Sequence, residues 1–243
     1  MLKLTDTKTM KLFAVVLIAL GLLYLAGCGK SGAPAASTPA TPAFSQSPSP
    51  SPSPSPAGPT KTEIGKTLTA QKAYDVTWSP DSSMVVYIVD TADSSKIYAW
   101  KTGENDPKFL TVNGGTTSGF SWSPDGSHFL INVGHMGPGT ITSTLYDAKT
   151  LESVTPDLVT VSPSPPIWSP DSLFIALSTA SQDNSGSIAV TVYSVADKKT
   201  TTLVSKTNTT GFFKILSWTD GIISYTETDS SGNTTNKTVA FPG

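Results

Sequence analysis

Three regimes of hydrophobic patterning succeed one another along the 243 residues. From Leu12 to Leu25 the positions are apolar almost without a break (LFAVVLIALGLLYL). From Gly29 to Thr60 bulky apolar side chains nearly vanish and Pro, Ser, Ala and Thr take over. From residue 61 onward apolar residues return in short runs rich in Val, Ile, Thr, Tyr and Phe, bounded by Gly, Pro, Asp and Ser. Such runs predict β-strands separated by turns. No 11-residue window after the first apolar run keeps helical spacing, so 61–243 reads as all-β.

The predicted strands fall into repeats. The first unit has Tyr74–Ser79, Met84–Asp90, Lys96–Lys101 and Lys108–Val112. The second has Gly119–Ser123, His128–Val133, Ile141–Ala148 and Glu152–Thr155. The third has Pro166–Ser169, Leu173–Thr179, Ile188–Ala196 and Thr200–Ser205. Each carries one motif: Trp78-Ser79-Pro80-Asp81-Ser82, Trp122-Ser123-Pro124-Asp125-Gly126 and Trp168-Ser169-Pro170-Asp171-Ser172, with Trp spacings of 44 and 46. A weaker fourth copy, 218–221 (Trp218-Thr219-Asp220-Gly221), follows 50 residues on. A period in the mid-forties with four strands per repeat indicates propeller blades. Ser-Pro-Asp-Gly is type I turn chemistry, and Asp81, Asp125 and Asp171 are read as turn-capping groups. The Trp residues are read as fillers between adjacent sheets.

The order Trp-Ser-Pro-Asp-Gly/Ser, strand, then Ile97-Tyr98, Leu145-Tyr146 or Val192-Tyr193 resembles the WD-repeat-like units of TolB-type β-propellers. The resemblance covers about 61–243 and implies a β-propeller of four-stranded blades. Family members commonly carry six or seven blades; this length holds about four, as a closed ring, an open arc or half of a larger assembly. The fourth unit offers only Phe213–Trp218, Ile222–Glu227 and Lys237–Phe241. Lys66-Thr67-Leu68-Thr69-Ala70 resembles the fourth strands of units one and three, which predicts that 66–70 completes the last blade and latches the ring.

Composition changes the picture mainly at the N-terminus. Lys3, Lys8 and Lys11 precede the apolar run, which ends in Leu25-Ala26-Gly27-Cys28. A basic start, an apolar stretch and small residues form the order of a secretory signal peptide. LAGC resembles the lipobox of bacterial lipoproteins, which implies cleavage before Cys28 and acylation of its thiol. The domain reading is therefore a signal peptide over 1–27, a lipid-anchored cysteine and disordered stalk over 28–60, and a propeller over 61–243. Met10 is an alternative start, and an uncleaved membrane span is the alternative to lipidation. Nine of the 19 Pro lie in the stalk, five of them in consecutive Ser-Pro pairs from Ser47 to Pro56. That composition favours extended polyproline II rather than a packed core.

The 16 basic residues are all Lys, against 18 acidic ones. Three Lys and Asp6 fall in 1–27, so 13 basic and 17 acidic residues remain, near −4. Absence of Arg and of a basic stripe argues against nucleic acid as a partner. A single Cys excludes an internal disulfide or a multi-Cys metal site. No Gly-x-Ser-x-Gly elbow and no metal-ligand spacing is present, so no catalytic residue, metal site or cofactor is assigned.

Functional residues are expected on the face that collects the longer polar loops. Its candidates are Asp90, Asp93, His135, Asp183 and Asn184. The Asp90–Asp93 and Asp183–Gly186 loops carry oxygen ligands suited to Ca²⁺ but are read first as solvated turns. The expected function is a cell-envelope lipoprotein, exported and anchored through Cys28, whose propeller binds a protein or glycan without catalysis. The alternatives are a polysaccharide-acting enzyme using loop-face carboxylates and an ectodomain acting by homo-oligomerisation.

Overall fold

The computed structural model describes residues 58–135, 139–154, 157–161, 164–180, 186–207 and 210–242, all within one unit spanning 53–243. The lipobox and stalk readings, with Cys28, lie outside the described residues.

A helix opens the fold. Helix α1 (Lys61–Ala70) starts at a capping box: the Thr60 hydroxyl accepts from Glu63 N–H at 3.4 Å, and the Glu63 carboxylate accepts from Thr60 N–H at 2.7 Å. These bonds satisfy two donors that a helix start otherwise leaves orphaned. The expected latch strand over 66–70 is therefore wrong, since those residues are helical. Ile64 and Leu68, one turn apart, are buried by α1.

Among the described residues fifteen strands follow in four antiparallel sheets. Sheet I holds β1 (Tyr74–Trp78), β2 (Met84–Asp90), β3 (Ser95–Lys101) and β4 (Lys108–Val112) in chain order. Sheet II holds β5 (Thr116–Trp122), β6 (His128–Gly134), β7 (Thr140–Asp147) and β8 (Leu158–Val161). Sheet III holds β9 (Ile167–Trp168), β10 (Phe174–Ala180), β11 (Ile188–Ser194) and β12 (Lys199–Lys206). Sheet IV has three strands, β13 (Phe212–Thr219), β14 (Ile222–Thr228) and β15 (Thr234–Ala240). The fourth strand of sheet II is not Glu152–Thr155 as expected. Within that stretch Ser153 makes only an isolated bridge to Tyr146, and the ladder with β7 is made by 158–161.

Successive strand residues face opposite sides of a sheet, so each central strand feeds two interfaces. Met84, Val86 and Ile88 of β2 pack with Phe129 and Ile131 of β6. Leu130 of β6 packs with Ile175 and Leu177 of β10, and Ala176 of β10 with Phe213 and Ile223 of sheet IV. The opposite side of β2, Val85 and Tyr87, is covered with Trp100 by Ile64 and Leu68 of α1. α1 thus occupies on sheet I the place that a neighbouring sheet takes elsewhere. The far face of sheet IV stays open and polar, with Lys214, Asn236 and Thr238 exposed around Leu216. Among the described residues no buried cluster joins sheet I to sheet IV, so the sheets form an arc and not the expected ring.

The motif tryptophans sit at these junctions. Trp122 packs against the I–II cluster, Trp168 belongs to the II–III cluster and Trp218 to the III–IV cluster. Trp78 packs against the α1 cluster, with the Lys61 ammonium 4.9 Å from its ring centroid. Two indoles also donate across junctions: Trp122 Nε1–H to Thr77 O at 3.3 Å, and Trp168 Nε1–H to Ser121 O at 3.2 Å.

Candidate functional site

The Ser-Pro-Asp turns form one rim of the arc. In the first, Ser82 N–H donates to Ser79 O at 2.8 Å, closing the turn. The Asp81 carboxylate accepts from the Ser79 hydroxyl at 2.6 Å, from Ser83 N–H at 3.0 Å and from the Ser83 hydroxyl at 2.9 Å. Ser79 Oγ in turn accepts from Met84 N–H at 3.0 Å. Asp125 repeats the pattern with Ser123 and Ser127, and Asp171 with Ser169 and Leu173 N–H. Pro80, Pro124 and Pro170 supply the fixed φ of the second turn position. Adjacent turns touch: Asp125 N–H donates to Ser172 Oγ at 3.0 Å. For Asp125 partial burial pushes the pKa up, but the Ser123, Ser127 and Ser172 bonds outweigh it and hold the carboxyl at about 2.

Between sheets I and II this rim encloses a shallow groove of about 530 Å³. Lys101, Glu104, Ser127, Asp147 and Lys149 line it. Its walls are held by backbone-directed bonds, Lys101 Nζ to Lys149 O at 2.8 Å and Asp147 Oδ1 from Thr150 N–H at 2.7 Å. The Asp147 carboxyl is lowered in pKa, first by the Thr150 N–H. The groove lies on the side of the short turns, opposite the face expected to carry function. The sequence pattern, with a strand ending at Ala148 and the next starting at Glu152, leaves only a short turn here, whereas the structure joins β7 to β8 through 148–157. The charged residues at the ends of β3 and β7 were the available signal.

The loop face is less organised. Asp90, at the end of β2, accepts from the Ser95 hydroxyl at 2.6 Å and the Tyr74 hydroxyl at 2.9 Å, and these two bonds lower its pKa in that order. Asp93 is exposed. His135 is exposed, and its Nε2 lies 2.8 Å from Thr142 Oγ1. Among the described residues no hydrogen bond joins Asp90, Asp93 and His135 to one another. Asp183 and Asn184 lie outside the described residues. Among the described residues no group of three or more His, Cys, Asp or Glu could hold a metal ion.

Solved structures place the fold. The chain is similar to the β-propeller domain of the trilobed protease from Pyrococcus furiosus, a domain described as having an open velcro topology. They are 15% identical over 69% of this chain and 55% of that one, with a TM-score of 0.50. A prolyl endopeptidase structure is similar at 14% identity over 73% of this chain and 30% of that one, with a TM-score of 0.51. TolB from Acinetobacter baumannii overlaps 69% of this chain and 43% of its own at 14% identity, with a TM-score of 0.37. The chain therefore spans about a third to just over half of these neighbours. At such identities the likeness is one of fold, and the fold is a β-propeller. No protein family and no curated protein matches the sequence.

Proposed function

We propose that the chain is a cell-envelope lipoprotein whose propeller arc is a binding platform for a protein or glycan, without catalysis of its own. The observation that carries this reading is the groove between sheets I and II. Both signs of charge line it, its walls are fixed by side-chain bonds to backbone, and rigid polar concavities of this kind suit oriented polar contacts. The enzyme alternative needs a carboxyl kept protonated as general acid. Every described Asp or Glu with a displaced pKa is displaced downward, which supports the non-catalytic reading.

The reading is tested by capture from an envelope extract with the full chain and with Glu104→Lys and Lys149→Glu. Both variants should keep the wild-type melting curve, and capture of the partner should fall about tenfold, on the order of 1.4 kcal/mol. An unchanged set of captured molecules would remove the groove from consideration. The anchor is tested separately by metabolic labelling with palmitate, which should fail on Cys28→Ala and leave that variant uncleaved.

A further inference from the structure

The outer edge of β15 differs from the corresponding edges of the other three sheets, β4, β8 and β12. Natural edges are blunted by bulges, short strands, Lys or Pro. β4 is bulged against β3 and preceded by Pro107; β8 has four residues; β12 is bulged against β11 and ends in Lys at both termini. β15 pairs with β14 over seven residues with no register shift, and its one charged residue, Lys237, is ion-paired to Glu227. The register fixes which backbone groups are free. Phe241 N–H donates to Gly221 O and Asp229 N–H to Asn233 O, so odd-numbered residues of β15 bond inward to β14. The N–H and C=O of Thr234, Asn236, Thr238 and Ala240 then point away from β14, and among the described residues no strand pairs there.

A second observation concerns the neighbouring sheet. Among the described residues sheet III has four strands and packs against a sheet of three, so no described strand of sheet IV is the counterpart of β12 beyond β15. Leu203 and Val204 of β12 and Val239 of β15 are only partly buried at this step. Its charged rim is Lys206 of β12 with Lys237, both on Glu227. The acidic groups beside them are engaged: Glu227 by Lys206 and Lys237, Asp229 by the N–H groups of Ser231 and Asn233, and Asp197 by the Ser194 hydroxyl. The Lys237 side chain remains 45% exposed.

We propose that this step is a docking site for an extended acidic segment of a partner protein, which adds antiparallel to β15 as the fourth strand of sheet IV. The main chain pairs with Thr234, Asn236, Thr238 and Ala240. Alternate side chains, apolar with a central carboxylate, face Val239, Val204 and Lys237. A second copy fits worse: two-fold pairing of β15 with itself would bring both β12 strands beneath the same edges. The proposal rests on the binding-platform reading and names one mode for it.

The probe is a fluorescein-labelled heptapeptide, Thr-Val-Thr-Glu-Thr-Val-Thr, offered to the full chain, with the Lys-for-Glu peptide as comparison. Binding should be saturable, at least fivefold weaker for the Lys peptide, and should slow amide exchange at 234–240. Thr238→Pro removes an outward N–H without touching the β14 ladder. It should weaken binding at least tenfold at an unchanged melting temperature. If Thr238→Pro unfolds sheet IV, Ala240→Pro, which removes another outward N–H at the end of β15, serves in its place, with the same loss expected. No binding at millimolar peptide, or equal binding by these variants, would overturn the proposal. So would sedimentation showing a wild-type dimer that Thr238→Pro dissolves, because a second copy would then hold the edge. Extract capture that fails for Glu104→Lys while the peptide still binds would refer to the groove alone.

Discussion

The last position of each Ser-Pro-Asp turn sits at positive φ: 60° at Ser82, 72° at Gly126 and 67° at Ser172. An L-residue there carries roughly 1–2 kcal/mol of strain that glycine avoids. Among the described residues Ser82 Oγ accepts only the exposed Lys61 ammonium, so Ser82→Gly should raise unfolding stability by about 0.5–1 kcal/mol, net of the entropy glycine adds to the unfolded chain. Ser172 is buried and accepts the Asp125 N–H of the neighbouring turn, so Ser172→Gly should gain nothing or lose. Urea unfolding of the pair checks both; equal gains would mean that the inter-turn bond is idle. Asp125 gives the pH counterpart. Its folded pKa of about 2 lies below the ordinary 3.8, so its contribution is complete above about pH 4 and is lost as pH falls through 2. Asp125→Asn should therefore cost stability at pH 7 and flatten the acid limb between pH 4 and 2. A variant with the same acid limb as wild type would assign that loss to other carboxylates.

At the scale of elements, α1 holds an interface with two side chains. Leu68→Ala should cost about 2–4 kcal/mol, within the range for buried Leu truncations. Because Trp78 and Trp100 lie in the same cluster, tryptophan emission should shift red before global unfolding. Thr60→Ala, which removes the capping box, should cost about 1 kcal/mol. An unshifted emission in Leu68→Ala would mean that α1 does not shield sheet I. This helix was poorly legible in the sequence, and the reason is physical. Only Ile64 and Leu68 mark its buried stripe, and three Thr resemble strand composition. The better signal was local, Thr60 followed by Glu63, which is capping-box spacing. β8 was misplaced for a related reason: Leu151, at φ 57°, is buried within a turn, so the chain needs further residues before LVTV can reach β7. The three strong turns were legible because Ser, Pro and Asp determine them within five residues. The groove was not, since it joins Lys101 and Glu104 to Lys149 across two repeats.

For the whole molecule, the decisive contrast is between strands buried on both faces and a strand buried on one. MVVYI of β2 is buried throughout, whereas in β14 Ile223 and Tyr225 are buried and their neighbours Ile222, Ser224 and Thr226 are not. That alternation marks sheet IV as the end of an array, and α1 marks the other end. Sheets that touch only their neighbours share stability as a chain of couplings, not as one block. Phe213 is 1% exposed at the III–IV junction, so Phe213→Ala should cost about 3–5 kcal/mol there. In an arc that loss loosens sheet IV first. Amide exchange should then speed up over 212–240 while β2 and β6 keep their protection. In a closed ring sheet IV would also brace sheet I, and β2 would lose protection in step. Hydrogen exchange on Phe213→Ala distinguishes the two: parallel loss in β2 would contradict the arc. The same experiment bears on the β15 edge, because an added fourth strand should restore part of the protection that Phe213→Ala removes from β14 and β15.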